Sequence, residues 1–433
     1  MRKNIITGVS LVALSASMAQ AGGWTAGTLD SGFMYSDGNT ASISVANIDH
    51  NIKAKEAKGF GATNATDVDV VKDETRRRLS IKSDIGNGLS VGLTNFRSGS
   101  IQLQGGASEF KSWVPDAEAS VDTTAIMAAY SVNENIDVLF GLSNDRLSDT
   151  TVTTINGTYN IQGGSANRAV LGASYAIPDI ALRVSATYMP SASLTVGSSF
   201  SETSLGATNP LSGQAIANTS YGDFASFAAK YGAAGAIGAS GGTLPTTDVD
   251  GNAAVFPAGV PAQMILAGTV QDAASYDSEV GLPETLILDF QTGIAADTLL
   301  FGSVYHAKWG DAQIVSDTGS AATKISTKFE DSTKYTLGLG RKINDQLSIS
   351  ATYAQEDGTG ALNSSPFTVS NGTKSIALGA RYTQGNMTIS GGVNMTEVGG
   401  VKITSNGKET GTFIAEYGTN RVTAFGLKIA FAF

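Results

Sequence analysis

A regular alternation of large apolar and small or polar side chains, repeated between short turns, constrains this chain more than any other feature. In the last stretch, Arg421 to Phe433, one set of alternate positions holds Phe425, Leu427, Ile429, Phe431 and Phe433, and the other holds Ala424, Gly426, Lys428, Ala430 and Ala432. Successive side chains of a β-strand point to opposite faces, so one face is large and apolar and the other is small with one cation. A soluble sheet would turn a polar face to water, whereas a small, partly polar face suits the lumen of a membrane barrel.

The same unit recurs upstream as six hairpins with short connections. The predicted turns are residues 84–87, 132–135, 178–179, 294–297, 343–346 and 384–386. Strands from Thr40 to Lys53 and from Arg421 to Phe433 complete the set, so the prediction is all-β: a transmembrane antiparallel β-barrel of about 14 strands, residues 40–433. An even number puts both termini and every short turn on the periplasmic side, and the long connections on the other.

The first predicted strand contains one irregularity. Ala41, Ile43 and Val45 alternate cleanly, and Ile48 then falls out of phase. The pattern indicates either a bulge or kink near Asn47 or a plain strand end.

Composition supports a barrel and excludes several kinds of site. Charged residues make up 15% of the 433, against about 25% in soluble proteins, and no run of about 20 apolar residues follows Ala21. The chain has no cysteine, which excludes disulfides and thiolate chemistry. The net charge is −10 and no segment is dense in Lys or Arg, so nucleic acid is not an expected partner.

Histidine chemistry is also limited. The only histidines are His50, beside Asp49, and His306, which the predicted phase turns inward near the extracellular rim. Neither belongs to a catalytic motif, so we expect no enzyme, no metal site and no cofactor.

The N-terminus has the pattern of a secretory signal. Arg2 and Lys3 precede an apolar stretch from Ile5 to Ala16, and Ala19-Gln20-Ala21 matches a cleavage site. We therefore predict a signal peptide over residues 1–21 and export to the bacterial outer membrane.

Residues 22–39, between the signal and the first strand, are too short for a domain. They include Trp24, Phe33, Met34 and Tyr35. These aromatic and apolar side chains predict a short plug inside the lumen, with a disordered tail as the alternative.

A long segment from Pro190 to Pro283 separates two predicted strands on the extracellular side. Asp223 to Tyr231 and Pro261 to Val270 have helical patterns, the first with Asp223 as N-cap. Apolar helices on a surface loop need a partner, either a substrate or the loop itself. The predicted capture residues are Phe224, Phe227, Met264, Ile265 and Leu266.

Alternation also places a set of cations on the inward face. They are Arg76, Arg78, Lys82, Arg183, Lys334, Arg381 and Lys428. A substrate with an apolar tail and a carboxylate needs an apolar slot and cationic donors. We predict substrate contacts from Arg76, Arg78, Arg183, Arg381 and Lys428. The alternative is that lumenal cations pair with lumenal acids such as Asp137 and Asp289.

The string LPETLILDFQTGIAADTLLFGSVYHAKW, from Leu282 to Trp309, resembles the outer-membrane long-chain fatty acid transporters (FadL-type). LGLGRKINDQLSISATYAQ, LGARYTQGNMTISGGVNM and GLKIAFAF are similar to that family's later hairpins and closing strand. The resemblance implies a barrel of 14 strands that takes up hydrophobic molecules passively. It also implies a route in three steps: the substrate is captured at extracellular loop helices, passes to a lumenal pocket, and is released through a side opening or past the plug.

Two departures separate the chain from that family. The family commonly has a longer N-terminal hatch with an Asn-Pro-Ala motif, whereas residues 22–39 contain no proline. The connection from Arg146 to Asn167 is also short, so the segment from Pro190 to Pro283 would take over the groove role.

Three functions fit the sequence: a channel for hydrophobic compounds, a general porin for small polar solutes, and a structural or adhesive surface protein. A porin needs an open lumen with opposed acids and arginines, whereas a hydrophobic channel needs an obstructed lumen and apolar loops. The apolar content between Phe224 and Leu266 favours the hydrophobic channel. Its expected partners are a hydrophobic substrate, outer-membrane lipids, and the barrel assembly machinery acting through the strand that ends at Phe433, with a monomeric barrel.

Overall fold

The computed structural model describes residues 19–21, 24–54, 68–107, 114–154, 157–202, 274–317, 324–358, 360–411 and 413–433. Fourteen antiparallel strands form a closed barrel, each pairing with the next in chain order. They are β1 Thr40–Asp49, β2 Glu74–Gly86, β3 Leu89–Gln104, β4 Asp116–Ser131, β5 Ile136–Leu147, β6 Gly164–Ile177, β7 Leu182–Met189, β8 Glu284–Ala295, β9 Thr298–Lys308, β10 Ser332–Lys342, β11 Leu347–Glu356, β12 Thr373–Gln384, β13 Met387–Val398 and β14 Asn420–Ala432. β14 pairs back onto β1, so the sheet closes and has no unpaired edge strand that would face lipid.

The alternation of side chains divides the wall into two faces, as predicted. Large apolar residues are exposed on the outside, including Leu142 at 67% and Phe425 at 61%. Small and polar residues such as Ser80, Ser143 and Ser390 are buried on the inside. The outer face is therefore an apolar belt suited to hydrocarbon.

The short turns all lie at one end of the barrel, as the sequence predicted. Two of them contain Asn87 and Asp297 with φ of 53° and 56°, a left-handed conformation that Asn and Asp tolerate. The long connections lie at the opposite, extracellular end. Within the described ranges no helix is long and apolar enough to span a membrane.

The extracellular connections contain strands that the sequence analysis did not predict. Six of them pair side by side: Thr150–Thr154, Gly157–Ile161, Ala192–Glu202, Ala274–Leu282, Ile314–Ser316 and Ile325–Ser326. The predicted loop from Pro190 to Pro283 therefore begins and ends with a paired hairpin, Ala192 opposite Leu282. The two helices predicted within that loop lie outside the described residues.

A second small sheet covers part of the same end. Its strands are Leu362–Asn363, Val401–Thr404, Phe413–Tyr417, Lys53–Ala54 and Val68–Asp69.

The first strand ends earlier than predicted and contains no bulge. β1 pairs with β14 in a single register from Thr40 to Asp49. Ile48 stays in phase on the inner face, where it is 2% exposed. Ile48 seemed to break the alternation because it is apolar on the inner face, and near the extracellular end the lumen is itself lined by apolar residues such as Ile52.

Candidate functional site

The N-terminal segment contacts lumen-facing side chains of several strands. Ser31 and Met34 are each 2% exposed, and Ser31 Oγ lies 2.7 Å from Thr187 Oγ1 of β7. Gly92 of β3 makes room for the segment, because a Cβ there would lie 2.2 Å from Met34 Sδ. The lumen is therefore partly filled by residues 27–39.

Lys82 of β2 fixes this segment near the periplasmic end. Its Nζ donates to the carbonyls of Ser36 at 2.7 Å and Gly38 at 3.1 Å, and it forms an ion pair with Asp84. Lys82 thus faces inward as predicted, and its ammonium group is saturated by these contacts.

Arg78 of β2 binds the segment one step higher. Its Nη2 donates to Thr28 O at 2.5 Å, and its Nη1 lies 3.9 Å from Asp30 Oδ2. The guanidinium also stacks 4.7 Å above the centroid of the Phe96 ring. This predicted substrate contact is therefore occupied by groups of the chain itself.

A central cavity of about 140 Å³ lies between the N-terminal segment and the barrel wall. Its charged lining residues are Arg76, Arg77, Arg78, Arg97, Arg183, Lys334, Asp30 and Asp289, and its aromatic ones include Phe96, Phe301 and Tyr305. The structure thus brings together three predicted contacts, Arg76, Arg78 and Arg183. Two others lie apart: Arg381 lines a different cavity, and Lys428 is absent from the central lining.

A smaller apolar compartment of about 40 Å³ adjoins the central cavity. Its apolar lining consists of Leu29, Phe96, Val121, Met189, Leu282, Ile287, Tyr305 and Trp309, together with Pro283. Leu29, Phe96, Ile287 and Tyr305 line both spaces. This compartment is not predictable from the sequence pattern, because each strand or loop contributes only one or two residues to it. The available signal was the large apolar residue at an inward position.

The barrel wall has an interruption between β2 and β3. Their ladder stops at Arg78 opposite Phe96, and pairing returns only where Lys72 N donates to Gln102 O at 3.0 Å. In the described part of the chain, residues 73–77 and 97–101 form no ladder with each other. Ser100 and Gly99 pair instead with Thr25 and Ala26 of the N-terminal segment. We call residues 73–77 and 97–101 the wall window.

Side chains close the wall window where backbone pairing is missing. Ser100 Oγ lies 3.0 Å from both carboxylate oxygens of Glu74, and Arg76 Nε lies 3.0 Å from Glu74 Oε2. Arg76 Nη2 donates to Ser100 Oγ at 3.1 Å, and Arg97 Nη1 lies 3.7 Å from Glu74 Oε1. Glu74 thus connects both edges of the window, and Arg76 is committed to this network.

The lumenal acids differ in what they contact. Asp137 accepts hydrogen bonds from Ser131 Oγ at 2.6 Å and Ser174 Oγ at 3.1 Å. Asp289 lies in the central cavity with Arg183. Three of the predicted inward cations therefore pair with acids, Arg76 with Glu74, Arg78 with Asp30 and Lys82 with Asp84, whereas Asp137 is bound by hydroxyl groups.

The predicted orientation of His306 was wrong. His306 lies opposite the outward-facing Leu286, and its Nδ1 is 2.9 Å from Thr333 Oγ1. The error arises because β9 reverses the usual sizes: Phe301 and Tyr305 face inward and Gly302 faces outward. Among the described residues no group of three His, Asp or Glu side chains could hold a metal ion.

The predicted capture residues Phe224, Phe227, Met264, Ile265 and Leu266 lie outside the described residues. The lumenal cavities are therefore the part of the candidate site that the structure describes.

No known family profile and no curated protein matches the chain. Solved structures do match along its length. A Pseudomonas aeruginosa FadL homologue is 13% identical over 93% of this chain and 92% of its own, with a TM-score of 0.63. The Pseudomonas putida toluene transporter TodX is 11% identical over 97% and 98%, with a TM-score of 0.56. The CymD monoaromatic hydrocarbon channel is 12% identical over 97% of each chain, with a TM-score of 0.53. The chain therefore has the fold of the FadL and TodX type of outer-membrane β-barrel.

Proposed function

We propose that the chain is a bacterial outer-membrane channel for the passive uptake of hydrophobic compounds. One observation carries this proposal: the lumen holds a small apolar compartment next to a cation-lined cavity, and Leu29 of the N-terminal segment lines both spaces. An apolar pocket with a few convergent polar groups is the usual form of a small-molecule site. The fold shared with channels named for toluene and monoaromatic hydrocarbons supports the same class of substrate.

Within that class we favour long-chain fatty acids or related lipophiles that carry an anionic group. The end of an apolar tail would lie beside Leu29, Ile287 and Tyr305, and a carboxylate would lie toward Arg183 and Lys334 in the adjoining cavity. A neutral hydrocarbon would gain at most a cation–π contact from the buried cations, whereas a carboxylate would form charge-assisted hydrogen bonds.

Capture and exit complete the proposed route. We assign capture to Phe224, Phe227, Met264, Ile265 and Leu266 of the extracellular loop. The wall window offers an exit into the membrane, because there β2 and β3 are joined by side chains and not by backbone pairing with each other. Rotating side chains costs less than separating paired strands, so this is where the wall opens most easily.

The alternative of a general porin is less well supported. A porin needs a water-filled lumen, and here Lys82, Arg78 and Thr187 hold the N-terminal segment across the interior. We also expect that the protein has no catalytic activity and that it is a monomeric barrel. Its outer belt should contact lipid, and the assembly machinery should recognise the strand that ends at Phe433. Residues 1–21 should be removed.

Two measurements on the purified barrel test the proposal. Proteoliposomes should take up a radiolabelled long-chain fatty acid faster than protein-free liposomes, and planar bilayers should show no large, steady ohmic conductance. A large steady conductance without fatty acid uptake would favour the porin.

Phe224→Asp with Phe227→Asp should slow uptake without impairing insertion, and unchanged uptake would remove the capture role of the loop.

A further inference from the structure

A second cavity, the periplasmic vestibule, lies at the end of the barrel that carries the short turns. It has a volume of about 470 Å³ and is lined by Ala181, Gly293, Leu299, Gly340, Ser348 and Arg381, among others. These residues belong to β8 to β12 and the turn before β7. The vestibule therefore occupies one side of the lumen.

The N-terminal segment packs on the other side. Met34 lies against Gly92 of β3, and the hydroxyl of Tyr35 comes within 3.1 Å of a Cβ built at Gly172 of β6. Lys82 of β2 holds the carbonyls of Ser36 and Gly38. Because the segment sits against β2, β3 and β6, it does not fill the vestibule.

Among the described residues, Phe301 alone lines both the central cavity and the periplasmic vestibule. It is only 2% exposed and borders both cavities. The ring rests on Gly338 of β10, where a Cβ would lie 2.4 Å from two ring atoms, and near Gly340. These glycines form the recess that holds the ring.

We propose that Phe301 is the gate of an axial exit from the central cavity into the periplasm. This rests on the proposed function, uptake of hydrophobic compounds, and adds a second route beside the wall window. The ring packs against Gly338 and Gly340, and individual dispersion contacts of this kind are weak. Displacing one aromatic ring joins the two cavities, so the axial route suits compounds with the cross-section of about one such ring. Larger amphipathic molecules are left to the wall window.

Single-channel recording on the full-length barrel tests the gate. Phe301→Ala should raise the ionic conductance several-fold over the wild type, because it connects the central cavity to the vestibule. Phe140→Ala is the matched control, since Phe140 faces outward on β5 and is 51% exposed. It should leave the conductance unchanged. Phe301→Trp should not raise it either.

A cysteine at the same position gives an independent measurement. Phe301→Cys introduces a single thiol into a chain that has none. A charged methanethiosulfonate reagent added from the periplasmic side should reduce the conductance of this variant and leave the wild type unaffected. Phe301→Leu, which keeps an apolar side chain, replaces the alanine variant if heat-modifiable migration shows that alanine prevents folding.

The proposed gate would be rejected if Phe301→Ala (or Phe301→Leu in its place) and Phe301→Cys both had the wild-type conductance and the reagent had no effect on Phe301→Cys. The readout is an ionic current, so it is independent of whether the wild-type barrel takes up fatty acid. Loss of uptake in the wild type would reject the proposed function and leave the conductance result standing.

Discussion

Arg168 of β6 and Asp145 of β5 form a bidentate ion pair inside the barrel wall. Arg168 Nε lies 2.8 Å from Asp145 Oδ2 and Nη2 lies 3.0 Å from Oδ1, with the side chains 6% and 0% exposed. Arg168 Nη1 also donates to Pro283 O at 3.0 Å, immediately before β8. The pair therefore connects β5 and β6 to the start of β8, which follows the long extracellular connection from Pro190 to Pro283.

Removal of Asp145 should destabilise the barrel. Asp145→Ala leaves a buried guanidinium without its anion, and breaking a buried pair in this way costs about 3–5 kcal/mol. Urea unfolding in detergent micelles, followed by tryptophan fluorescence, should show an earlier transition. Asp122→Ala, which removes a half-exposed partner of Arg97, should cost at most about 1 kcal/mol. Equal transitions for the Asp145 and Asp122 variants would contradict this.

The outward and inward faces, the strand number and the side of the turns could be predicted from sequence because lipid imposes them. Positions of the outer face that meet hydrocarbon are predominantly apolar, so the apolar Leu427 and the charged Lys428 indicate which face each occupies. That constraint ends where the strands leave the membrane. Ala192–Glu202 and Ala274–Leu282 therefore lack its signal and were predicted as loop.

The site was harder to predict, since its parts depend on distant contacts. Arg76 and Arg78 were correctly placed inside, but their partners, Glu74 and the N-terminal segment, follow from register and packing that alternation does not encode. The wall window arises because Ser100 and Gly99 pair with Thr25 and Ala26. No local sequence pattern in β2 or β3 predicts that this part of β3 pairs with the N-terminal segment in place of β2.

Arg183 should distinguish anionic from neutral substrates. It is 8% exposed in the central cavity, where a substrate carboxylate would meet it. Arg183→Met removes the charge and keeps an extended apolar side chain, so proteoliposome uptake of a fatty acid should fall more than uptake of the alcohol of equal length. Arg421→Met, at an exposed position of β14, serves as control. An equal loss for acid and alcohol would argue against carboxylate recognition.

Glu74 should control the wall window. Glu74→Ala leaves Arg76 and Arg97 without their shared carboxylate, and the two like charges then repel across the window. We expect faster transfer of a fluorescent hydrophobic probe into the bilayer of proteoliposomes, and faster amide exchange at Lys72, which donates to Gln102 just above the window. Glu284→Ala removes another acid paired with a cation, 2.6 Å from Lys308, and is the matched control. Identical transfer rates for both variants would exclude Glu74 as a latch.

His50 should make the adjoining extracellular segment sensitive to acid. It is 2% exposed beyond the end of β1, and its Nδ1 lies 2.9 Å from the carbonyl of Lys72, which can only accept, so Nδ1 carries the proton. Burial lowers the pKa of His50, and the nearby carboxylate of Glu74 only partly offsets this. Nε2 has no hydrogen-bond partner among the described residues, so protonation would add a buried charge without an acceptor.

The sign of the pH effect follows from that lowered pKa. The opened segment regains an ordinary histidine pKa of about 6.5 and binds a proton more readily than the closed one. The closed segment therefore has its full stability above about pH 6.5 and loses it as the pH falls toward the lower, native pKa. Amide exchange at Val70, which donates to Ile52 O at 2.9 Å, should accelerate below that pH after correction for the intrinsic rate. His50→Gln can keep a donor toward Lys72 without titrating, so its exchange should not depend on pH in this way. A wild type that matches the glutamine variant across the range would show that protonation of His50 does not open the segment.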